Sequence, residues 1–246
     1  MRALVTGSNG FIARNLIIDL KSQPGVVVLT HDRTQSEKEF LRKLEISDIV
    51  FHLAGVNRSD FDIDFIRTNI EMTSKIIEHL EQIQSRSPII FSSSSQAGND
   101  TIYGKTKVEA ENLLRLHQER TKSGIRIYRL FNVFGKYSRP DYNSVVATFC
   151  HRVANGLEIS MPNPDAQLKL VAVDDVVRTF VNELRFDHSR DIFGTIEPVY
   201  ETTVRELYEK VLFFGEMKGS QPIEAATGLD AHLKATFDYF CTLKMD

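Results

Sequence analysis

The stretch Arg2-Ala3-Leu4-Val5-Thr6-Gly7-Ser8-Asn9-Gly10-Phe11-Ile12-Ala13 decides the fold. Arg2 to Thr6 is a short apolar run that reads as a buried strand. Phe11 to Lys21 follows with Ile12, Leu16 and Leu20 on one helical face. Two glycines separate them. Gly7 lets the backbone turn tightly, and Gly10 lets main-chain N–H groups approach an anion at the helix N-terminus, where the dipole favours negative charge. Asn9, Phe11 and Ile12 complete the turn that would hold a pyrophosphate, and Ala13 replaces a third small residue against the sheet. Such glycines are weak evidence alone; between a strand and a helix they mark a dinucleotide site.

Outward from this unit, strands and helices alternate. Val26 to Leu29 reads as a strand behind the breaker Pro24-Gly25, Asp48 to Leu53 as another, and Asp64 to Gln84 as a helix. Pro88 to Ser92 is a strand, Tyr103 to Thr121 a long helix and Ile125 to Leu130 a strand. The alternation predicts an α/β protein with a Rossmann-type, doubly wound parallel sheet. After Leu130 the rhythm loosens. Gly135 to Ser144 predicts a functional loop, Val145 to Asn155 a helix, Leu168 to Val173 a strand and Asp174 to Leu184 a helix. The remainder predicts a small, mostly helical C-terminal lobe. The expected division is a nucleotide-binding domain over 1–160 and a substrate lobe over 161–246, with the strand and helix near 168–184 returning to the first.

The chain's 246 residues suffice for one large domain or a domain with an appendage. Hydrophobic residues at 42% and charged residues at 26% exclude disorder. A net charge of -3 with interspersed signs argues against a nucleic-acid or anionic-membrane surface. No apolar stretch approaches the roughly 20 residues needed to span a bilayer. The N-terminus enters strand and turn at once, so no signal peptide is expected and the cytoplasm is the expected compartment. Cys150 and Cys241 make neither a metal pair nor a disulfide framework and read as inert thiols.

Ribose recognition belongs at the tip of the second strand, Leu29-Thr30-His31-Asp32-Arg33. A free ribose meets an acid there and a 2′-phosphate a cation. Register from Gly7 puts His31 at the tip with Arg33 close by, which favours NADP(H) over NAD(H). Asp32 pulls the other way, since it can turn toward the ribose. Leu53, Ala54 and Gly55 end the next strand, where small residues let the chain pass close to the adenine and pyrophosphate. His52 reads as a satisfied strand-end histidine without chemistry.

Tyr103 and Lys107 open the long helix four residues apart, which puts both on one face. A phenol with a pKa of about 10 is a poor acid or base at neutral pH. A nearby ammonium and an oxidised nicotinamide would bring it toward the working range, so that Tyr103 trades a proton with a carbonyl or hydroxyl. Phe91-Ser92-Ser93-Ser94-Ser95 closes the preceding strand at the sheet edge where ligands bind. A serine hydroxyl there can bond the same substrate oxygen. Ser94 is the expected residue, with Ser93 and Ser95 as alternatives.

In this order the motifs resemble the extended short-chain dehydrogenase/reductases, the NAD-dependent epimerase/dehydratase group. The matching pieces are Thr6-Gly7-x-x-Gly10-Phe11-Ile12, His52-Leu53-Ala54-Gly55, Asn69 within Thr68-Asn69-Ile70, the serine-ended strand, Tyr103-x-x-x-Lys107, Arg129-x-x-Asn132-x-x-Gly135 and Val173-Asp174-Asp175. The resemblance implies a Ser94-Tyr103-Lys107 mechanism, Asn69 at the cofactor, Asn132 in a substrate pocket, and a homodimer through the helix carrying Tyr103 and its neighbour. Ala13 and the short connection from Ser94 to Tyr103 depart from the pattern. A narrower resemblance rests on Pro140-x-Tyr142-Asn143-Ser144-Val145-Val146-Ala147-Thr148-Phe149-Cys150, Ala54-Gly55-Val56-Asn57-Arg58 and Phe134-Gly135-Lys136. It is to the reductase domains of CapF-like capsular-polysaccharide enzymes. That implies NADPH-dependent reduction of a 4-keto-6-deoxy-N-acetylhexosamine on UDP. Such proteins carry a metal-binding C-terminal cupin domain, and the sequence stops at Asp246 before one. The expectation is therefore a truncated or split enzyme, or a relative with another job. His117, His151, His188 and His232 are scattered, and no metal is expected.

A nucleotide-sugar diphosphate needs compensating charge. Lys136 and Arg139 are the first candidates, with Lys169 and Arg58 behind them; Asn143 and Ser144 serve equally as substrate hydrogen-bonders or helix caps. Three functions stay open: a ketoreductase, a 4-epimerase that retains its cofactor, and a cofactor-binding sensor without catalysis. A 4,6-dehydratase is disfavoured, because Ser94-Ser95-Gln96-Ala97 lacks the acid–base carboxylates that reaction needs.

Overall fold

The computed structural model describes residues 1–187, 191–217 and 227–243. His188 lies outside them. Along the chain, β1 (Arg2–Thr6), α1 (Phe11–Ser22), β2 (Val27–His31), α2 (Glu37–Glu45) and β3 (Ile49–His52) come first. Then follow α3 (Asp62–Phe65), a π-helical turn (Ile66–Glu71), α4 (Met72–Gln82), β4 (Ile89–Ser94), α5 (Ile102–Thr121) and β5 (Ile125–Leu130). The rest comprises β6 (Asn132–Phe134), α6 (Val145–Ala154), β7 (Gln167–Ala172), α7 (Val173–Asn182), a 3-10 turn (Glu183–Arg185), β8 (Phe193–Gly194), β9 (Tyr200–Thr203), α8 (Val204–Glu216) and α9 (Gly228–Thr242). Among the described residues, no helix is long and apolar enough to cross a membrane.

Two compact units emerge: 1–130 with 177–196, and 131–176 with 197–246. This departs from the expected boundary at 160. The reason is strand pairing. Asn132–Phe134, not expected as a strand, pairs in parallel with β7, and β9 pairs antiparallel on the other side. The strand near 168 thus builds a separate three-stranded sheet, and the returning segment starts at Val177.

In the first unit six parallel strands run in the order β2-β1-β3-β4-β5-β8. Residue parity explains helices on both faces, because successive side chains in a strand point oppositely. Leu4, Val50, Phe91 and Ile127 share a buried cluster with Phe40 and Leu44 of α2, Ile76 and Leu80 of α4, and Leu114 of α5. Phe51 and Tyr128, each one residue out of phase, instead meet Phe180 of α7. The order reverses between β1 and β3, so the crevice beyond their carboxyl ends is where a doubly wound sheet takes its ligand.

The second unit packs its sheet with α6, α8 and α9 around Phe134, Phe149, Leu207, Phe237 and Phe240. Thr203 and Glu206 close a capping box that starts α8. Cys150 is buried in this core, which pushes its thiol well above the ordinary range.

Candidate active site

The glycine turn is built by close approach. Gly7 has φ +66°, and a Cβ there would stand 2.8 Å from the Cα of Ala54. Any side chain would push β1 and β3 apart at the point where the strand order reverses. The turn is pinned by Gly10 N–H to the Gly7 carbonyl (2.8 Å) and by Ser8 N–H to the His31 carbonyl (3.1 Å). Gly10 is the N-cap of α1 and has no side chain to cover the first N–H groups, while Phe11 and Ile12 form the first turn and Ala13 is buried. Gly55 is similar: a Cβ would come within 3.2 Å of Asn69 Oδ1 and Lys107 Nζ. Bare backbone at Gly7, Gly10 and Gly55, with an open helix N-terminus, fits a dinucleotide.

β2 ends at His31, as register from Gly7 predicts. The His31 ring is buried, stacks on Phe40 at 4.2 Å between centroids, and has no partner at Nδ1. Burial, then the Lys43 charge, hold its pKa below the ordinary value. Within the turn, the His31 carbonyl accepts Ser8 N–H. Asp32 is the residue tied to the turn: Asn9 Nδ2 donates to its Oδ2 at 2.9 Å, and the Thr34 amide and hydroxyl donate to Oδ1. Those Thr34 bonds hold its carboxyl below the usual range. Arg33 is exposed.

Beyond β3 a buried relay runs through His52. Thr6 Oγ1 accepts the N–H groups of Leu53 and Ala54 and lies 2.9 Å from His52 Nδ1. With both acceptor sites used, Thr6 gives its proton to Nδ1, so the ring carries its own proton on Nε2. That proton goes to Thr73 Oγ1 at 3.0 Å, and Thr73 donates to the Asn69 carbonyl at 2.8 Å. The ring is neutral, with burial first and Lys107 second lowering its pKa to about 3. Asn69 sits in the π-helical turn, a distortion common at functional sites. Its Oδ1 accepts from Val56 N–H, and its Nδ2 donates to the Val56 carbonyl and to Thr106 Oγ1. Asn69 therefore braces the Gly55-Val56 backbone against α5.

The serine-ended strand and α5 meet residue by residue. Ser94 hydrogen-bonds Tyr103 and accepts the Gln96 amide at 3.1 Å. Ser93 donates to Glu111 Oε1, and the Ser92 carbonyl accepts from Lys107 Nζ at 2.9 Å. Ser93 is thus committed to Glu111, Ser95 is exposed, and Ser94 lies beside the phenol. Lys107 Nζ lies 4.8 Å from the Phe91 ring centre and 6.0 Å from that of Tyr103. The expected lowering of the phenol by the ammonium is not the dominant effect; burial raises the Tyr103 pKa, and the Ser94 bond only partly offsets it. Burial also lowers Lys107 to about 8.

The short connection from Ser94 to Tyr103 closes over Gly104. A Cβ at Gly104 would stand 2.6 Å from the Gln96 carbonyl oxygen and 2.8 Å from that of Asn99. Thr101 caps the helix by accepting Gly104 N–H. Gly104 was missed, although a glycine in the first turn of a helix, where it weakens helicity, was a visible signal.

In the second unit, Ser144 caps α6 by accepting Ala147 N–H, and Asn132 donates to the Lys169 carbonyl across β6 and β7. Both are engaged structurally. Lys169 pairs with Glu201 and lies over Phe131. Lys136, Arg139 and Asn143 are exposed, with Arg139 over the Tyr142 ring at 5.0 Å. The backbone here is unusual: Tyr137 and Asp141 have φ of 67° and 52°. Non-glycine residues so placed cluster at functional loops.

The NAD dependent epimerase/dehydratase family model matches residues 3–192. The UDP-2-acetamido-2,6-beta-L-arabino-hexul-4-ose reductase of Pseudomonas aeruginosa is 37% identical over 238 residues, covering 96% of this chain and 64% of that protein. The capsular polysaccharide assembling protein CapF of Staphylococcus aureus superposes with a TM-score of 0.87 at 29% identity, over 98% of this chain and 65% of that one. The chain thus spans just under two thirds of the length of both. A UDP-glucuronic acid 4-epimerase of Bacillus cereus, solved with NAD, has a TM-score of 0.83 at 17% identity and shares the fold. With its matched span covering the glycine turn, the serine-ended strand and Tyr103 with Lys107, the chain belongs to the NAD dependent epimerase/dehydratase family.

Proposed function

We propose that the chain is an NADPH-dependent reductase of a C4 ketone on a UDP-linked 4-keto-6-deoxy-N-acetylhexosamine, a surface-polysaccharide precursor. The observation that carries the chemistry is Tyr103 set beside Ser94 at the end of β4 and a buried Lys107 on its own helix. The substrate class rests on the similarity to the Pseudomonas reductase.

When bound, the nicotinamide supplies the hydride. Tyr103 donates its phenolic proton to the carbonyl oxygen that becomes the alcohol. Burial keeps the phenol protonated at neutral pH, so the proton is in place for donation, and the charges that arrive with cofactor and substrate must draw its pKa down. Ser94 donates to the same oxygen and stabilises its charge. Lys107 stabilises the phenolate left behind. Gly7, Gly10 and Gly55 give the pyrophosphate its room. Asn9, Phe11, Ile12, Leu53 and Ala54 flank it, with Asn69 holding Gly55 in place. Lys136, Arg139 and Asn143 are the residues for the nucleotide-sugar.

Arg33, exposed just past the tip of β2, supports the NADP(H) preference. Asp32, anchored to Asn9, favours a second reading in which NAD(H) is the coenzyme. Incubation with NADPH or NADH and a panel of UDP-4-keto sugars, followed at the nicotinamide absorbance, tests all of this. Consumption of NADPH with a 4-keto-6-deoxy-N-acetylhexosamine is the expected result. Silence with every sugar, together with tightly retained NAD, would overturn it in favour of a 4-epimerase.

A further inference from the structure

We propose that Glu111 is a positioning residue for the Tyr103–Lys107 pair: its buried carboxylate balances the charge of Lys107 and locks the strand that presents Ser94. The proposal rests on the reductase reading for its kinetic consequence, but its physical content concerns Lys107 alone.

Tyr103, Lys107 and Glu111 recur every four residues along α5 and so lie on one helical face. Each grips one of three consecutive serines of β4. Tyr103 bonds Ser94, Lys107 holds the Ser92 carbonyl, and Glu111 takes the Ser93 hydroxyl. The Glu111 side chain is 3% exposed, yet its partner Arg129 on β5 is 45% exposed. Arg129 Nε and Nη2 clamp its two oxygens at 3.0 and 2.6 Å. Burying a carboxylate beneath a half-exposed arginine is poor economy for stability alone, since desolvation can exceed the attraction between the pair. It becomes intelligible beside an enclosed ammonium. The groups facing Lys107 are the neutral His52 from β3, the Phe91 ring and Ser92 carbonyl from β4, and Tyr103 and Glu111 from its own helix. Of these, Glu111 is the anion, and it opposes the loss of the Lys107 proton that burial favours.

The test uses the full-length protein with isotope-labelled lysine, following the Lys107 resonance through a pH titration, with Lys107→Arg to assign it. Glu111→Gln keeps the shape and an acceptor for Ser93 or Arg129 but removes the charge; Glu111→Asp keeps the charge. The expected result is a Lys107 titration displaced to lower pH in Glu111→Gln and restored toward wild type in Glu111→Asp. In turnover, the alkaline limb of the kcat profile moves the same way, while KM for the sugar holds. A Lys107 titration unchanged in Glu111→Gln, or moved equally by both variants, overturns the proposal. If wild type reduces no UDP-4-keto sugar, the reductase reading fails, whereas the titration still decides Glu111.

Discussion

The β4–α5 edge and the 132–144 segment use polar residues in opposite ways. At the edge, Ser93, Ser94, Lys107 and Glu111 are all buried, and each has a named partner. In the second unit, Lys136, Arg139 and Asn143 stand exposed on a loop. Enclosed groups cannot be shifted without leaving something unpaired, so their geometry is over-determined. Exposed cations act through charge, which water and salt weaken. Substitution at the edge should therefore alter the rate of chemistry, and substitution on the loop should alter binding.

The largest effect belongs to Tyr103→Phe. Loss of the proton donor should lower kcat by about 100- to 10,000-fold, the range for positioned acid–base groups. Cofactor binding, followed by nicotinamide fluorescence, should hold; undiminished turnover would remove Tyr103 from the proton path. Lys107→Met should also abolish most turnover but should not lower the melting temperature at pH 7. The unfolded lysine titrates at 10.5 and the buried one at about 8, so the folded state resists a proton that the unfolded chain keeps. Below pH 8 that difference costs about 3 kcal/mol, lost progressively as pH rises from 8 toward 10.5. Methionine removes the cost and forfeits one bond to Ser92. A clear drop in melting temperature would mean that Lys107 is structural rather than strained into place.

What was legible in the sequence follows the same divide. The glycine turn, Tyr103-x-x-x-Lys107 and the serine-ended strand are local patterns, and each is fixed by backbone or helical spacing over a few residues. Ser94 could be named but not separated from Ser93, because Glu111 and Arg129 decide that choice from elsewhere in the chain. The same limit hid the setting of His31: register put it at the strand tip, where β2 ends, and only Phe40 of α2 shows that its ring stacks inward. That helix was itself missed, although Ser36 three residues before Glu39, with Phe40 and Leu44 following, is a start signal. The boundary at 160 failed because a strand of three residues, Asn132–Phe134, carries too little periodicity to be seen.

Lys136→Ala and Arg139→Ala should each raise KM for the UDP-sugar about tenfold, within the range for a charge-assisted hydrogen bond, and leave kcat within about twofold. Added salt should weaken wild-type binding and narrow the gap to the variants. An effect on kcat as large as that of Tyr103→Phe would break the contrast between edge and loop, since an exposed cation would then be acting on the chemistry.

The smallest effect is expected at Arg33, and it discriminates between coenzymes. If Arg33 meets a 2′-phosphate, Arg33→Ala raises KM for NADPH severalfold and leaves KM for NADH unchanged, because only the former carries the extra charge. Asp32 supplies the opposing arm. It is held by Asn9 and Thr34 at the tip of β2, and its carboxylate would repel that phosphate. Asp32→Asn should therefore improve NADPH while weakening NADH, whose ribose hydroxyls lose an acceptor. Equal changes for both coenzymes in either variant would mean that the strand tip only shapes the glycine turn, with selectivity lying elsewhere. The comparison would then be sharpened, for even within the first unit an exposed charged tip would be scaffold while enclosed groups carry the specificity.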